Sequence, residues 1–281
     1  METKLNYKRT FLIGLAFLSI CSFWQMYDNI IPLILQNTYH LGETMTGAVM
    51  ALDNVLAIFL LPVFGALSDK VHTKLGRRMP FIVAGTILAV IFMMLLPMID
   101  NAEKARWNTG ESFSNQVIFL AVLFFTLVSM GLYRSPAVAL MPDVTPNHLR
   151  SRANAVINLM GAVGGVYALI MIKVLVGKGE TPDYLPLFAS IAAVMAIAVG
   201  ILVITIRENK LREEVEKAEA ANAGTIEEKA MAEGVEAAGE IEAVGDTGEV
   251  KSFDGKKQTG KTEGTKGMPK EVKRSMYFML A

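Results

Sequence analysis

Gly65-Ala66-Leu67-Ser68-Asp69-Lys70, followed after Val71-His72-Thr73-Lys74-Leu75 by Gly76-Arg77-Arg78-Met79-Pro80, joins two apolar runs at 44–68 and 79–99. A helix needs about 20 apolar residues to cross the hydrocarbon core of a bilayer, and both runs meet that length. The hinge between them sets one carboxylate, Asp69, among Lys70, Lys74, Arg77 and Arg78. Short loops this rich in Lys and Arg stay on the cytoplasmic side.

Outward from that hinge the pattern repeats. The 281-residue chain is 52% hydrophobic, and its mean hydropathy of +0.39 persists although its last quarter is highly polar. Six candidate spans follow, at 10–35, 44–68, 79–99, 116–141, 153–176 and 184–206. All read as helices. Barrel strands would be about 10 residues long with apolar and polar positions alternating, whereas Ile87-Leu88-Ala89-Val90-Ile91-Phe92-Met93-Met94-Leu95-Leu96 is apolar on every side. The fold class is therefore an all-α membrane protein.

The Lys and Arg residues outside the spans orient the bundle. Lys4, Lys8 and Arg9 precede the first span, Arg150 and Arg152 follow the fourth, and Arg207, Lys210 and Arg212 follow the sixth. The alternate loops are poorer, with none at 36–43, Lys104 and Arg106 at 100–115, and Lys178 at 177–183. The N-terminus and the segment after residue 206 are therefore expected in the cytoplasm of a plasma-membrane protein. The first span is too long for a signal-peptide core and lacks a small-residue cleavage site, so it is expected to be retained. Cys21, the one cysteine, lies inside it and excludes an intramolecular disulfide or cysteine metal cluster.

After Ile206 the composition changes. Residues 207–274 are rich in Glu, Lys, Ala and Gly and read as a charged cytoplasmic linker without a packed core. Its first part, 207–217, places opposite charges at i,i+4 and is expected to prolong the sixth helix. Its mixed signs argue against a nucleic-acid tail. Ser275-Met276-Tyr277-Phe278-Met279-Leu280-Ala281 reads as the start of a truncated seventh helix.

Three motifs carry a resemblance: Gly65-x-x-Ser68-Asp69 through Gly76-Arg77-Arg78-x-Pro80-Phe81; Pro136-x-x-Ala139-Leu140-x-x-Asp143; and Arg152-Ala153-Asn154-Ala155. Over residues 10–206 the chain resembles the major facilitator superfamily, and within it the glycoside–pentoside–hexuronide cation symporters and the related sucrose–proton symporters. The resemblance implies the N-terminal, six-helix half of a twelve-span carrier working by alternating access. Its expected partners are the bilayer, a C-terminal six-helix half and a glycoside or disaccharide substrate, with no cofactor and a proton as coupling ion. Two departures matter. Sucrose symporters carry an arginine two residues after the span-four proline, where this chain has Val138, with Arg134 one turn earlier. Melibiose-type sodium symporters place acidic ligands where this chain has Leu61 and Ala57, which leaves Asp53 to take the acidic role. The alternatives are a carrier for a non-sugar amphiphile, or a fragment that inserts without transporting.

Read without the family, the intramembrane charges point the same way. An ionised side chain near the bilayer centre costs at least about 2.5–3.5 kcal/mol on insertion scales and must face a partner or water. Asp28, Asp53 and Arg134 are such residues, and Arg134 is expected to pair with Asp53 or Asp28 around a central cavity that passes substrate and proton. Trp24 and Gln25 lie one turn before Asp28, and Asn154 and Asn158 are spaced i,i+4 in span five. Amides both donate and accept, which suits sugar hydroxyls, and an indole face stacks on a sugar ring; helix–helix bonding and packing are the bland readings. The stripe Asn158, Gly161 and Gly165 reads as packing. By the resemblance, Asp69, Arg77, Arg78, Asp143 and Arg152 form a cytoplasmic gate, with Arg150 beside them. His40, His72 and His148 have no metal-ligand spacing. No phosphate loop, nucleophile elbow or paired catalytic acids point to an enzyme. The 100–115 loop, with Trp107 beside Arg106, reads as an interfacial anchor or external lid.

Overall fold

A computed structural model describes residues 6–71, 73, 75–107, 116–177, 182–217 and 219–220. Among them run six helices long and apolar enough to cross a membrane. They are α1 Tyr7–Asn37, α2 Glu43–Lys70, α3 Met79–Trp107, α4 Gln116–Asp143, α5 Arg150–Leu175 and α6 Leu185–Thr205. The chain is therefore an integral membrane protein of the all-helical class. The expected start of a seventh helix at 275–281, and all of 221–274, lie outside the described residues.

The helices associate by close approach rather than by hydrophobic drive, since lipid tails are as apolar as leucine. Packing is most extensive between α1 and α5 and between α3 and α4. At the α1–α5 crossing a Cβ on Gly164 would stand 2.1 Å from the Leu18 carbonyl oxygen, so only glycine fits. The Ser22 hydroxyl sits between the carbonyls of Leu18 at 2.8 Å and Gly164 at 2.9 Å, which fastens the two helices at that point. Gly161 meets Cys21 on α1 in the same seam, as its reading as a packing residue requires. At the α3–α4 crossing, a Cβ on Gly85 would meet the Tyr133 backbone nitrogen at 2.6 Å. The buried Tyr133 hydroxyl then bonds across to α1, to Ser19 Oγ at 2.7 Å and to the Ala16 carbonyl at 3.1 Å. By contrast α2 is poorly covered, with only Thr46 and Ser68 buried.

Two boundaries depart from the sequence reading. Helix α3 does not end at residue 99 but continues to Trp107, so 100–107 is helix rather than loop. The cause is Asp100, fully buried, which accepts from Thr38 Oγ1 at 2.6 Å and pairs with Lys104 one turn on at 2.6 Å. Lys104 also donates to the Pro182 carbonyl, tying this end of α3 to the segment before α6. The remaining part of that loop, 108–115, lies outside the described residues.

The second departure follows α6. The helix does not run on into the charged segment; Ile206 turns extended at ψ 114° and a separate helix occupies 208–217. The anticipated i,i+4 pairs form in it, Arg212 with Glu216 at 2.9 Å and Glu213 with Lys217 at 2.7 Å. Its other face is packed. Leu211 is buried, Arg9 of α1 pairs with Glu214 at 2.9 Å, and Glu219 accepts from the Asn147 backbone N–H at 3.1 Å. This stretch is thus a strap across one end of the bundle, where an unpacked linker was expected.

Candidate functional site

Two sites emerge, a small cavity within the bundle and a charge network at the end where α2 meets α3. The cavity lies among α1, α2 and α4, and Trp24, Asp53, Leu60, Gly131 and Arg134 line it. Gly131 sets space on the α4 wall, because a Cβ there would already touch Leu60 at 3.4 Å. Arg134 lays its guanidinium over the Trp24 ring, 5.5 Å from the centroid, in cation–π geometry. Trp24 is held edge-on between Phe23 and Tyr27, each with ring centroids 5.4 Å away. Its indole N–H and the Tyr27 hydroxyl are buried without a hydrogen-bond partner among the described residues. Buried polar atoms are normally paired, and of these two orphans the indole N–H belongs to a residue of the cavity wall.

The sequence placed Asp53, Trp24 and Arg134 together, and the structure does bring them to one cavity. The ion pair expected between Arg134 and Asp53 or Asp28 is not made: no N···O approach within 4.0 Å joins them among the described residues, and Trp24 takes the guanidinium instead. Asp53 accepts from the backbone N–H of Asn54 at 2.7 Å and from its side-chain amide at 2.9 Å. Asp28 is exposed further along α1. Gln25 points toward α5, its Oε1 3.7 Å from where a Gly165 Cβ would stand. Asn154 and Asn158 are exposed on α5 and do not line this cavity. In an isolated bundle such exposure marks a face open to whatever lies beside it.

The second site is the hinge that opened the sequence reading. Asp143, at the last residue of α4, accepts from Arg77 Nη2 at 2.8 Å and from Arg78 Nε. Asp69 pairs with Arg78 Nη2 at 2.8 Å and, more loosely, with Arg77 Nη1 at 3.7 Å. Arg78 also donates to Ser68 Oγ at 3.0 Å, which uses its rigid fork on three oxygens at once. Burial opposes the Arg77 charge, but Asp143, Asp69 and Glu208 outweigh it and hold the guanidinium above its ordinary range. Arg150 closes the exposed end of α4 by donating to the carbonyls of Pro142 at 2.9 Å and Thr145 at 3.2 Å. Arg152 is exposed and stays outside the network.

Sequence reasoning missed the residue at the centre of this site. Glu208, only 1% exposed, reaches under the hinge and accepts from the backbone N–H groups of Arg77 at 3.0 Å, Arg78 at 3.1 Å and Met79 at 3.1 Å. These are unpaired donors at the start of α3, at the positive end of its dipole, where a carboxylate is most favourable. Gly76 explains the access. It adopts φ +123°, and a Cβ there would lie 2.1 Å from Glu208 Oε2. Nothing in the alternating acids and bases of 207–217 distinguishes Glu208 from its neighbours, so no sequence signal identified it.

A six-helix membrane bundle with a charged, aromatic-lined interior cavity and an ion-paired hinge has the construction of a membrane carrier. The family model described as Major Facilitator Superfamily matches residues 7–252, and the chain belongs to that superfamily of carriers. It is similar over part of its length to a sucrose transport protein of Arabidopsis thaliana, 35% identical over 116 residues, which are 39% of this chain and 22% of that protein. A sucrose transport protein of Oryza sativa subsp. japonica is 26% identical over 137 residues, 46% of this chain and 27% of the relative. A second Arabidopsis sucrose transport protein is 27% identical over 120 residues, 40% of this chain and 20% of that relative. The chain thus matches about a quarter of the length of these relatives.

Proposed function

We propose that this chain forms the N-terminal six-helix half of a secondary active transporter that carries a glycoside of the sucrose class together with a proton across the cytoplasmic membrane. The observation that carries the reading is the cavity where Arg134, Trp24 and Asp53 meet. The Trp24 ring offers a stacking face, its unpartnered indole N–H offers a donor for a hydroxyl, and Asp53 is a carboxylate within reach of the same space. A carboxylate takes up a proton more readily when it is desolvated and less readily when a guanidinium approaches. Arg134 rests on Trp24 here, and a substrate hydroxyl that engages the guanidinium holds it away from Asp53, so that bound substrate and a protonated Asp53 favour one another. Substrate occupancy and protonation of Asp53 are coupled in that way.

In alternating access two halves rock about a midplane site, which requires each half to move as a unit. The Asp69–Arg78–Asp143 network and the Glu208 strap give this half that stiffness at the end expected to face the cytoplasm. Gln25, Asp28, Asn154 and Asn158 then belong to the face that meets the C-terminal half, where they complete the polar pathway.

The test is uptake of labelled sucrose by a complete carrier that includes this chain, with and without an inward proton gradient. Asp53→Asn mimics the protonated state; it is expected to abolish gradient-driven accumulation while sucrose exchange across the membrane continues. Unimpaired accumulation by that variant removes Asp53 from the coupling scheme, and an absence of glycoside uptake in the unmodified carrier overturns the substrate class.

A further inference from the structure

We infer that the α3–α6 seam is a binding site for one anionic glycerophospholipid, with an acyl chain in an apolar groove and its phosphate at Arg207 and Lys210. The inference is independent of the transported substrate. Two adjoining features carry it.

The first is the groove. Val83, Ile87 and Ile91 on α3 face Ala196, Val199 and Val203 on α6 across an open channel. Ile204, at its lower lip, is 84% exposed. Gly200 leaves the floor open, for a Cβ placed there meets no atom within 4 Å. From Val83 to Ile91 the channel runs about 12 Å along the helix axis, which fits within one leaflet of a hydrocarbon core about 30 Å thick. Thr86, the polar residue in its wall, turns its hydroxyl inward onto the Ile82 carbonyl at 2.7 Å. The groove therefore presents hydrocarbon alone, suited to an acyl chain.

The second is the mouth. Val203 and Ile204 line both this groove and a neighbouring pocket bounded by Leu75, Arg207, Glu208 and Lys210. Arg207 and Lys210 are exposed, and neither makes an ion pair among the described residues. Glu208, the carboxylate in this pocket's wall, is already engaged by the N–H groups of Arg77, Arg78 and Met79, and Glu214, which shares a further pocket with Arg207 and Lys210, pairs with Arg9 at 2.9 Å. Asn209 is turned away onto the Thr73 carbonyl at 3.1 Å. Two free cations thus stand at the end of an apolar channel, in the order hydrocarbon then charge that a phospholipid presents. Basic residues beside a span attract the anionic cytoplasmic leaflet, and the positive-inside orientation puts this end there.

The test is native mass spectrometry of the purified 281-residue chain after incubation with equal amounts of phosphatidylglycerol and phosphatidylcholine bearing the same acyl chains. Two unpaired cations predict an enrichment of retained phosphatidylglycerol of about 30-fold. Arg207→Gln with Lys210→Gln is expected to bring the two lipids to near-equal retention while leaving acyl-chain binding in place. Gly200→Phe fills the groove and is expected to remove the retained lipid of either headgroup; Ile204→Trp, on an exposed position, serves the same purpose should the glycine variant fail to fold. Equal retention of the two lipids by the unaltered chain overturns the proposal, as does unchanged selectivity in the double variant or full lipid retention with the groove filled.

Discussion

Replacing Glu208 with alanine removes the acceptor shared by three backbone N–H groups at the start of α3, those of Arg78 and Met79 buried and that of Arg77 part-buried. A buried donor left unpaired costs about 1–3 kcal/mol. Water entering the vacated space recovers part of that for three neighbouring amides, while loss of a carboxylate at a helix N-terminus adds about 0.3–1 kcal/mol. The sum is about 3–5 kcal/mol. For a cooperative unit of about 200 residues, each kcal/mol shifts Tm by about 2–4 °C, so Glu208→Ala is expected to lower Tm by about 6–20 °C. The assay is thermal unfolding of the purified protein in detergent, followed by fluorescence. Glu216→Ala, which breaks an exposed pair with Arg212, is the matched control and is expected to move Tm by no more than about 2 °C. A Glu208→Ala shift no larger than the control's would refute the strap as a structural element.

Gly164→Ala places a methyl group 2.1 Å from the Leu18 carbonyl and forces α1 from α5, at a cost of about 1–3 kcal/mol; Gly47→Ala, in open space on α2, is expected to be neutral or stabilising in the same unfolding assay. The Tyr39 phenol is pushed up by burial and then by the carboxylates of Asp100 and Glu103. Its neutral form is thus favoured in the fold. That contribution to stability is fully present below the unfolded value of about pH 10 and is lost as pH rises from there toward the higher folded value. In a tyrosinate absorbance titration of the folded protein, Tyr39→Phe is accordingly expected to leave the first rise near that pH unchanged; loss of one tyrosine's signal there contradicts the burial.

Much of the architecture was legible because a bilayer constrains sequence so strongly. Backbone polar groups in hydrocarbon must pair within the segment, which makes each long apolar run a helix. The spans at 116–141 and 184–206 accordingly lie within about two residues of α4 and α6. The hinge was legible too, since Asp69 and Arg77–Arg78 are near in sequence and Asp143 ends the helix that must return to the same side. Arg134's neighbour was not. Its alternatives, a carboxylate or an aromatic face, are chosen by helix rotation and by Trp24's clamp between Phe23 and Tyr27.

The sequence by itself determined the six membrane-length helices among the described residues, the polar end of each and the clustering of charge at the α2–α3 hinge, because these depend on local composition and on the thickness of a membrane. Only the tertiary structure decided that α3 runs on through Asp100, that α6 stops at Ile206 and that Glu208 closes on amides some 130 residues earlier in the chain. Such contacts depend on which helix ends meet in space. A buried carboxylate and a solvated one are written with the same letter, and burial is a property of the packed bundle.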